Sequence, residues 1–217
     1  MNAPVPDWLQ TLSQRLQETP AEGYSAHLPP REGARRRAAV LVLVAPNEQD
    51  AQRQDVVLTE RAHTMRSHPG QVAFPGGSID PGDTGPVAAA LREAREEVGL
   101  HDDTVEVLST LPELYMPHRF FGVTPVLGWW QQPHPIGPAQ PEEVASVFRA
   151  PIDELVDPAS RFTVTHPSGY VGPAFEIDGL LVWGFTAGVI SRLLTFAGLE
   201  QQWDSNRREV LPERFWS

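Results

Sequence analysis

Three glutamates, Glu93, Glu96 and Glu97, fall within five positions of the run LREAREEVGL, Leu91 to Leu100. At helical spacing, carboxylates at i, i+3 and i+4 share one side of a helix. Two chemistries suit that arrangement. One is a solvated acidic face. The other is a cradle for Mg²⁺, a hard ion that takes carboxylate, water and phosphate oxygens. The run alone leaves both open.

Positions about 100° apart place Val87, Leu91, Ala94 and Val98 in one apolar stripe. Glu97 falls at the edge of that stripe, Glu93 a little farther and Glu96 beyond it. The acids thus form one arc that begins beside the core, with Arg92 and Arg95 round the other side. Like charges at i,i+4 repel slightly, and the acid nearest the core loses solvent. That costs free energy unless a cation compensates.

The helix that carries them is expected to open at Pro86, a good first-turn residue, and to close at Gly99. Asp83 or Thr84 is its candidate N-cap. An amphipathic helix is expected over residues 7–17, with Trp8, Leu9, Leu12 and Leu16 on one side. Ala38 to Ala45 reads as a buried strand and DVVLT from Asp55 as a second. Later strands are expected in VEVLSTLPEL, GVTPVLGWW and EVASVFRA, a hairpin in RFTVTH and FEIDGLLVWG, and a closing helix in TAGVISRLLTFAG. Helices and strands that alternate around a mixed sheet give an α/β or α+β class.

Composition narrows the function. Hydrophobic residues at 41% and charged residues at 21% are globular values. No apolar run approaches the roughly 20 residues of a membrane span, and MNAPVPDWLQ lacks a signal pattern; the expected location is cytoplasmic. With no cysteine there is no disulfide, thiol nucleophile or thiolate zinc site. A net charge of -11 argues against a nucleic-acid surface. All 17 basic residues are arginines, so a phosphate-loop lysine and Schiff-base chemistry are excluded. Neither a G-x-S-x-G elbow nor a G-x-G-x-x-G fingerprint is present. Arg35 to Arg37 form a candidate phosphate patch at the start of the first strand, with a solvated strand end as the plainer reading.

Upstream of the helix stand Gly76-Gly77 and the acid-bearing turn SIDPGD. Gly77, Arg92, Glu93, Ala94, Glu96, Glu97, Gly99 and Leu100 together resemble the Nudix box, the signature of hydrolases of nucleoside diphosphates linked to another moiety. Asp83 stands where the first glutamate usually does, and one extra residue separates it from Arg92. A second motif, LTERAHTMRSHPGQVAFPGG from Leu58 to Gly77, is similar to the segment that marks the coenzyme A pyrophosphatase branch. Its matching residues are Leu58, Thr59, Arg61, Ala62, Arg66, Gly70, Phe74, Pro75, Gly76 and Gly77. That branch commonly has the aspartate and the longer loop. GVTPVLG from Gly122 and VWGFTAGVI from Val182 resemble it too.

The resemblance implies a Nudix-type α/β/α sandwich over residues 35–200, with residues 1–34 as N-terminal helix and connector and 201–217 as a tail. It implies hydrolysis of coenzyme A and its derivatives to 4′-phosphopantetheine and 3′,5′-adenosine bisphosphate. The implied cofactor is Mg²⁺ or Mn²⁺ on Glu93, Glu97 and Glu96, with Arg92 orienting the glutamates. Glu143 is the expected further catalytic carboxylate, with Glu142 as its rival, and Glu93 or a loop acid the candidate base. Arg61, Arg66, His68, Gly76 and Gly77 are the expected substrate-binding residues, and His63 stands among them. Arginine's fork suits phosphate oxygens. Tyr115, Phe120, Phe121, Trp129 and Trp130 are candidates to stack adenine, or core aromatics. The partner is a small molecule, with no nucleic acid, no membrane and a homodimer left open. The alternatives are a Nudix diphosphatase for ADP-ribose, NADH or dinucleoside polyphosphates, and a noncatalytic nucleotide-sensing Nudix domain.

Overall fold

The apolar run after Arg36 forms the long central strand β1, Arg36–Pro46, and β2 follows at Gln54–Arg61. In a computed structural model of the chain, residues 2–20, 23, 34, 36–116 and 120–216 are described. Arg35 lies outside them. Helix α1, Asp7–Glu18, precedes β1. Short strands β3, Val72–Ala73, and β4, Gly76–Ser78, lead to α2, Pro86–Val98. Then come β5 at Val105–Thr110, β6 at Leu114–Met116, β7 at Phe121–Trp130 and β8 at Val144–Pro151. The single-turn α3, Ile152–Val156, leads to β9, Arg161–Thr165, β10, Val171–Ile177, and β11, Leu180–Val182. Helix α4, Gly184–Ala197, and the tail strand β12, Arg208–Val210, complete the chain.

The first eight strands make one mixed sheet with the order β3-β2-β1-β7-β5; β4 pairs β1, β6 pairs β7 and β8 pairs β2. Strand β1 runs parallel to β7 through nine residue pairs, from Arg36↔Phe121 to Val44↔Trp129. Alternation along β1 explains the layers. Val42 and Val44 pack with Leu9, Leu12 and Leu16 of α1 and Leu193 and Leu194 of α4. Ala39, Leu41 and Leu43 face the other way, onto Ala89, Ala90, Ala94 and Val98 of α2. The alanines let the α2 backbone lie close to the sheet. This is a mixed α+β fold, with helices on both faces of the sheet.

Hydrogen-bonded pairing of β1 with β2 ends at Val44↔Val56, and the two strands part towards Arg36 and Arg61. The segment from β3 to β4 crosses that gap. Val72 and Ala73 pair with Glu60 and Thr59 of β2, and Gly76 to Ser78 pair with Val40 to Ala38 of β1. The split places backbone amides beneath α2, where the acidic arc lies.

A second sheet, β11-β10-β9-β12, buries Phe162, Val164 and Ala174 against Leu211 and Phe215. The expected hairpin is its centre, β9 against β10. No helix among the described residues is long and apolar enough to cross a membrane.

Candidate active site

Gly99 ends α2 in the left-handed region at φ 74°, the conformation glycine adopts without a Cβ penalty. Its amide reaches the Arg95 carbonyl, and Leu100 N reaches Ala94 O. The last carbonyls are also covered: Gly137 N donates to Val98 O and Ala139 N to Glu97 O. The C-terminal end of the Glu93–Glu97 interval is therefore fixed to the fold. The N-terminal cap differs from expectation. Gly85 occupies that position with no side-chain hydrogen bond. Asp83 is withdrawn from capping because its carboxylate accepts both Nε and Nη2 of Arg92, each at 3.1 Å, and Asp80 N at 2.8 Å. Those charge-assisted bonds hold the Asp83 carboxyl below its ordinary range, Arg92 contributing most.

The three glutamates grade from buried to exposed in the order of the wheel. Glu97 is 6% exposed, Glu93 half-buried and Glu96 exposed. Gly76 N donates to Glu97 Oε2 at 3.0 Å. Burial pushes the Glu97 carboxyl up to about 7; Glu93 and Glu143 push the same way, while the Gly76 amide and Arg61 oppose it. Burial raises the Glu93 carboxyl too, against the pull of Arg92. Glu93 lies directly on Gly77: a Cβ there would stand 2.5 Å from its carboxyl carbon. Only a glycine leaves room for that carboxylate.

Arg92 does not keep to the far side of the helix. Its guanidinium crosses to Glu93 Oε1 at 3.0 Å and Glu96 Oε2 at 3.1 Å, and donates to Ser78 O at 3.0 Å. A wheel gives the direction of Cα–Cβ, whereas this long side chain follows four acceptors. One consequence is that Glu96 is held by Arg92. Among the described residues no three acidic or histidine side chains form a ready ligand set. The paired Glu93 and Glu97 nonetheless suit a hard divalent cation. They are hard oxygen donors one turn apart, both desolvated and both raised in pKa, which is the environment a cation relieves.

The other expected residues divide into two groups. Arg61 ends β2 on the α2 face, and Glu143 precedes β8, where Ala62 N donates to Glu143 O at 2.8 Å. Both lie within electrostatic reach of Glu97. Gly76 and Gly77 form the floor. Arg66 and His68 instead lie in the turn between β2 and β3, closed by Gly70 N to Arg61 O. His68 adopts φ 56° there. His63 pairs with Glu60 at 3.1 Å and packs on Gly70. Glu142 is exposed. Trp129 and Trp130, each 1% exposed, are core residues, closed to adenine; Arg36 stacks over Phe121. Sequence reasoning missed the tie from Asp83 to Arg92. The acid-bearing turn before an Arg-Glu pair was the available signal.

The profile of the NUDIX domain matches residues 34–168. The chain belongs to the Nudix family. It is 40% identical over 173 residues to NudL, an uncharacterized Nudix hydrolase of Enterobacter sp. (strain 638), covering 76% of this chain and 85% of that one. To NudL of Escherichia coli O7:K1 it is 36% identical over 172 residues, covering 76% and 84%. The fold is similar to that of RenU, a Nudix hydrolase from M. smegmatis, with a TM-score of 0.55 at 23% identity over 82% of this chain and 97% of that one. Membership of this Nudix hydrolase family makes the chain an enzyme of pyrophosphate-bond hydrolysis, in a family that uses divalent cations.

Proposed function

We propose that the chain hydrolyses the diphosphate of coenzyme A and its derivatives, giving 4′-phosphopantetheine and 3′,5′-adenosine bisphosphate. One observation carries the reading. The segment Leu58–Gly77, which resembles the coenzyme A pyrophosphatase motif, forms the wall that faces the glutamates: Gly76 N bonds Glu97, Gly77 seats Glu93, and Arg61 lies beside Glu97.

Glu93 and Glu97, with Glu96 once released from Arg92, would hold Mg²⁺ or Mn²⁺. That cation, when bound, supplies positive charge to the diphosphate and lowers the pKa of neighbouring water. Arg61 contributes a charge-assisted contact to a phosphate oxygen. Arg66 and His68, on the β2–β3 turn, extend the same rim towards the more distant part of the substrate. Arg92 orients Glu93 and Glu96 and is itself fixed by Asp83. A carboxyl poised near 7 can accept and return a proton at neutral pH, which favours Glu97 for proton transfer, with the Gly76 amide holding it in place and Glu143 as the further carboxylate beside it.

Phosphorus NMR of coenzyme A incubated with the protein and Mg²⁺ tests this. The expected products are the two phosphomonoesters in equal amounts. Release of inorganic phosphate instead, or unchanged coenzyme A beside cleaved ADP-ribose, would refute it.

A further inference from the structure

Arg37 and Glu113 form an ion pair that the reading above leaves unused. Arg37 Nε donates to Glu113 Oε2 at 2.6 Å. The Glu113 side chain is only 12% exposed, whereas that of Arg37 is 57% exposed. Glu113 is seated on Gly122, where a Cβ would stand 2.4 Å from its carboxyl carbon. This is the same device that seats Glu93 on Gly77. An ordinary surface ion pair has two mobile partners and contributes little. Here the acid is fixed and the guanidinium is tethered by Nε alone. Among the described residues neither terminal nitrogen of Arg37 has a hydrogen-bond acceptor.

Strand register locates the pair relative to the glutamates. Gly77 is paired with Ala39, and Arg37 lies two residues along the same strand, so both point to the α2 face. Arg37 is paired in turn with Gly122 on β7. The Glu113 carboxylate over Gly122, which holds the Arg37 guanidinium, is thus two strands across the sheet from Gly77, where Glu93 sits, and two residues displaced along β1. Arg61 stands on the opposite side, across β4. Two arginines therefore flank the acidic cradle, one beside Glu97 and one beyond Glu93.

We infer that Arg37, tethered by Glu113, is a subsite for a phosphate monoester carried by the nucleotide half of the substrate. Resting on the coenzyme A reading, that group is the 3′-phosphate on the ribose. The terminal nitrogens of Arg37 present a fork to its oxygens. Glu113 is a positioning residue that keeps the fork in place.

Calorimetry with the full chain and Mg²⁺ tests it, comparing 3′,5′-adenosine bisphosphate with 5′-AMP. Wild type is expected to bind the bisphosphate about tenfold tighter, the effect of one charge-assisted pair. Arg37→Gln is expected to remove that preference while the far-UV circular dichroism is unchanged and Tm falls by a few degrees at most, since the Gln amide still donates to Glu113. A preference that survives in Arg37→Gln, or none in wild type, overturns the inference. The outcomes are separable from the proposed function. Loss of preference in a protein that leaves coenzyme A intact sustains the subsite and refutes the activity. Coenzyme A cleavage with the preference intact in Arg37→Gln does the reverse.

Discussion

Gly76 and Glu97, 21 residues apart, are joined by a backbone amide that donates to a nearly buried carboxylate at 3.0 Å. The bond exists because β1 and β2 part and the crossing segment turns its amides towards α2. It is one short bond on a charge that solvent no longer reaches, and burial prevails: the carboxyl rises to about 7.

The adjacent glycines separate stability from function. At Gly76, φ is 153° and a Cβ would stand 2.4 Å from Ala39 O and 2.6 Å from Val40 Cα, so backbone must shift. Gly76→Ala is expected to cost roughly 1–3 kcal/mol or more in thermal or urea unfolding. At Gly77 the three atoms nearest a Cβ all belong to the Glu93 carboxylate, the movable end of a side chain. Gly77→Ala is expected to keep Tm within a few degrees and to lose at least tenfold in kcat/KM. Equal stability loss in the two variants would contradict this division.

Glu97 makes metal-free stability depend on pH. Its folded value, about 7, lies above its ordinary value of 4.5. Between those values the folded chain holds a proton that the unfolded chain has released. This contribution is therefore complete below about pH 4.5, declines as pH rises, and levels off above about 7. The loss is on the order of 3 kcal/mol. Urea unfolding in chelator should show wild type losing stability relative to Glu97→Gln between pH 5 and 8, and Mg²⁺ should raise wild-type Tm more at pH 8 than at pH 5. Parallel curves for the two proteins would remove Glu97 as the source.

Much of the fold was legible because its boundaries rest on local chemistry. Pro86 and Gly99 fix α2 from its own residues, and the Val87 to Val98 stripe names the face that reaches the sheet. The grading of Glu97, Glu93 and Glu96 follows from angle alone. What was not legible depends on distant partners. The reach of Arg92 across the arc required knowing that Asp83 and Ser78 O stand on that side. The parting of β1 from β2 leaves no mark in AAVLVLVA or DVVLT, since neither run shows where its pairing with the other stops. Nothing in the three residues of β12 announces that they pair with β9. Arg66 and His68 follow Arg61 closely in sequence, but the path of the turn that contains them, closed by Gly70 N on Arg61 O, is set by pairing of β2 with β3.

Arg92 joins Asp83, Glu93, Glu96 and the Ser78 carbonyl. Arg92→Ala leaves the Asp83 carboxylate, whose side chain is 6% exposed, without its main partner. Such loss is expected to lower Tm by a measurable margin near pH 7. The effect should shrink as pH falls below the ordinary aspartate value of 3.8 and through the lower folded value, as Asp83 takes up a proton and no longer needs the cation. A variant as stable as wild type at pH 7 would show that the network is dispensable.

The central claim is tested most directly by kcat/KM on a panel of coenzyme A, dephospho-coenzyme A, ADP-ribose and NADH, each with Mg²⁺ and with Mn²⁺. Coenzyme A is expected to lead, and Glu97→Gln to lose about 10²–10⁴-fold on it. A clear preference for ADP-ribose, or full activity in Glu97→Gln, would contradict the account.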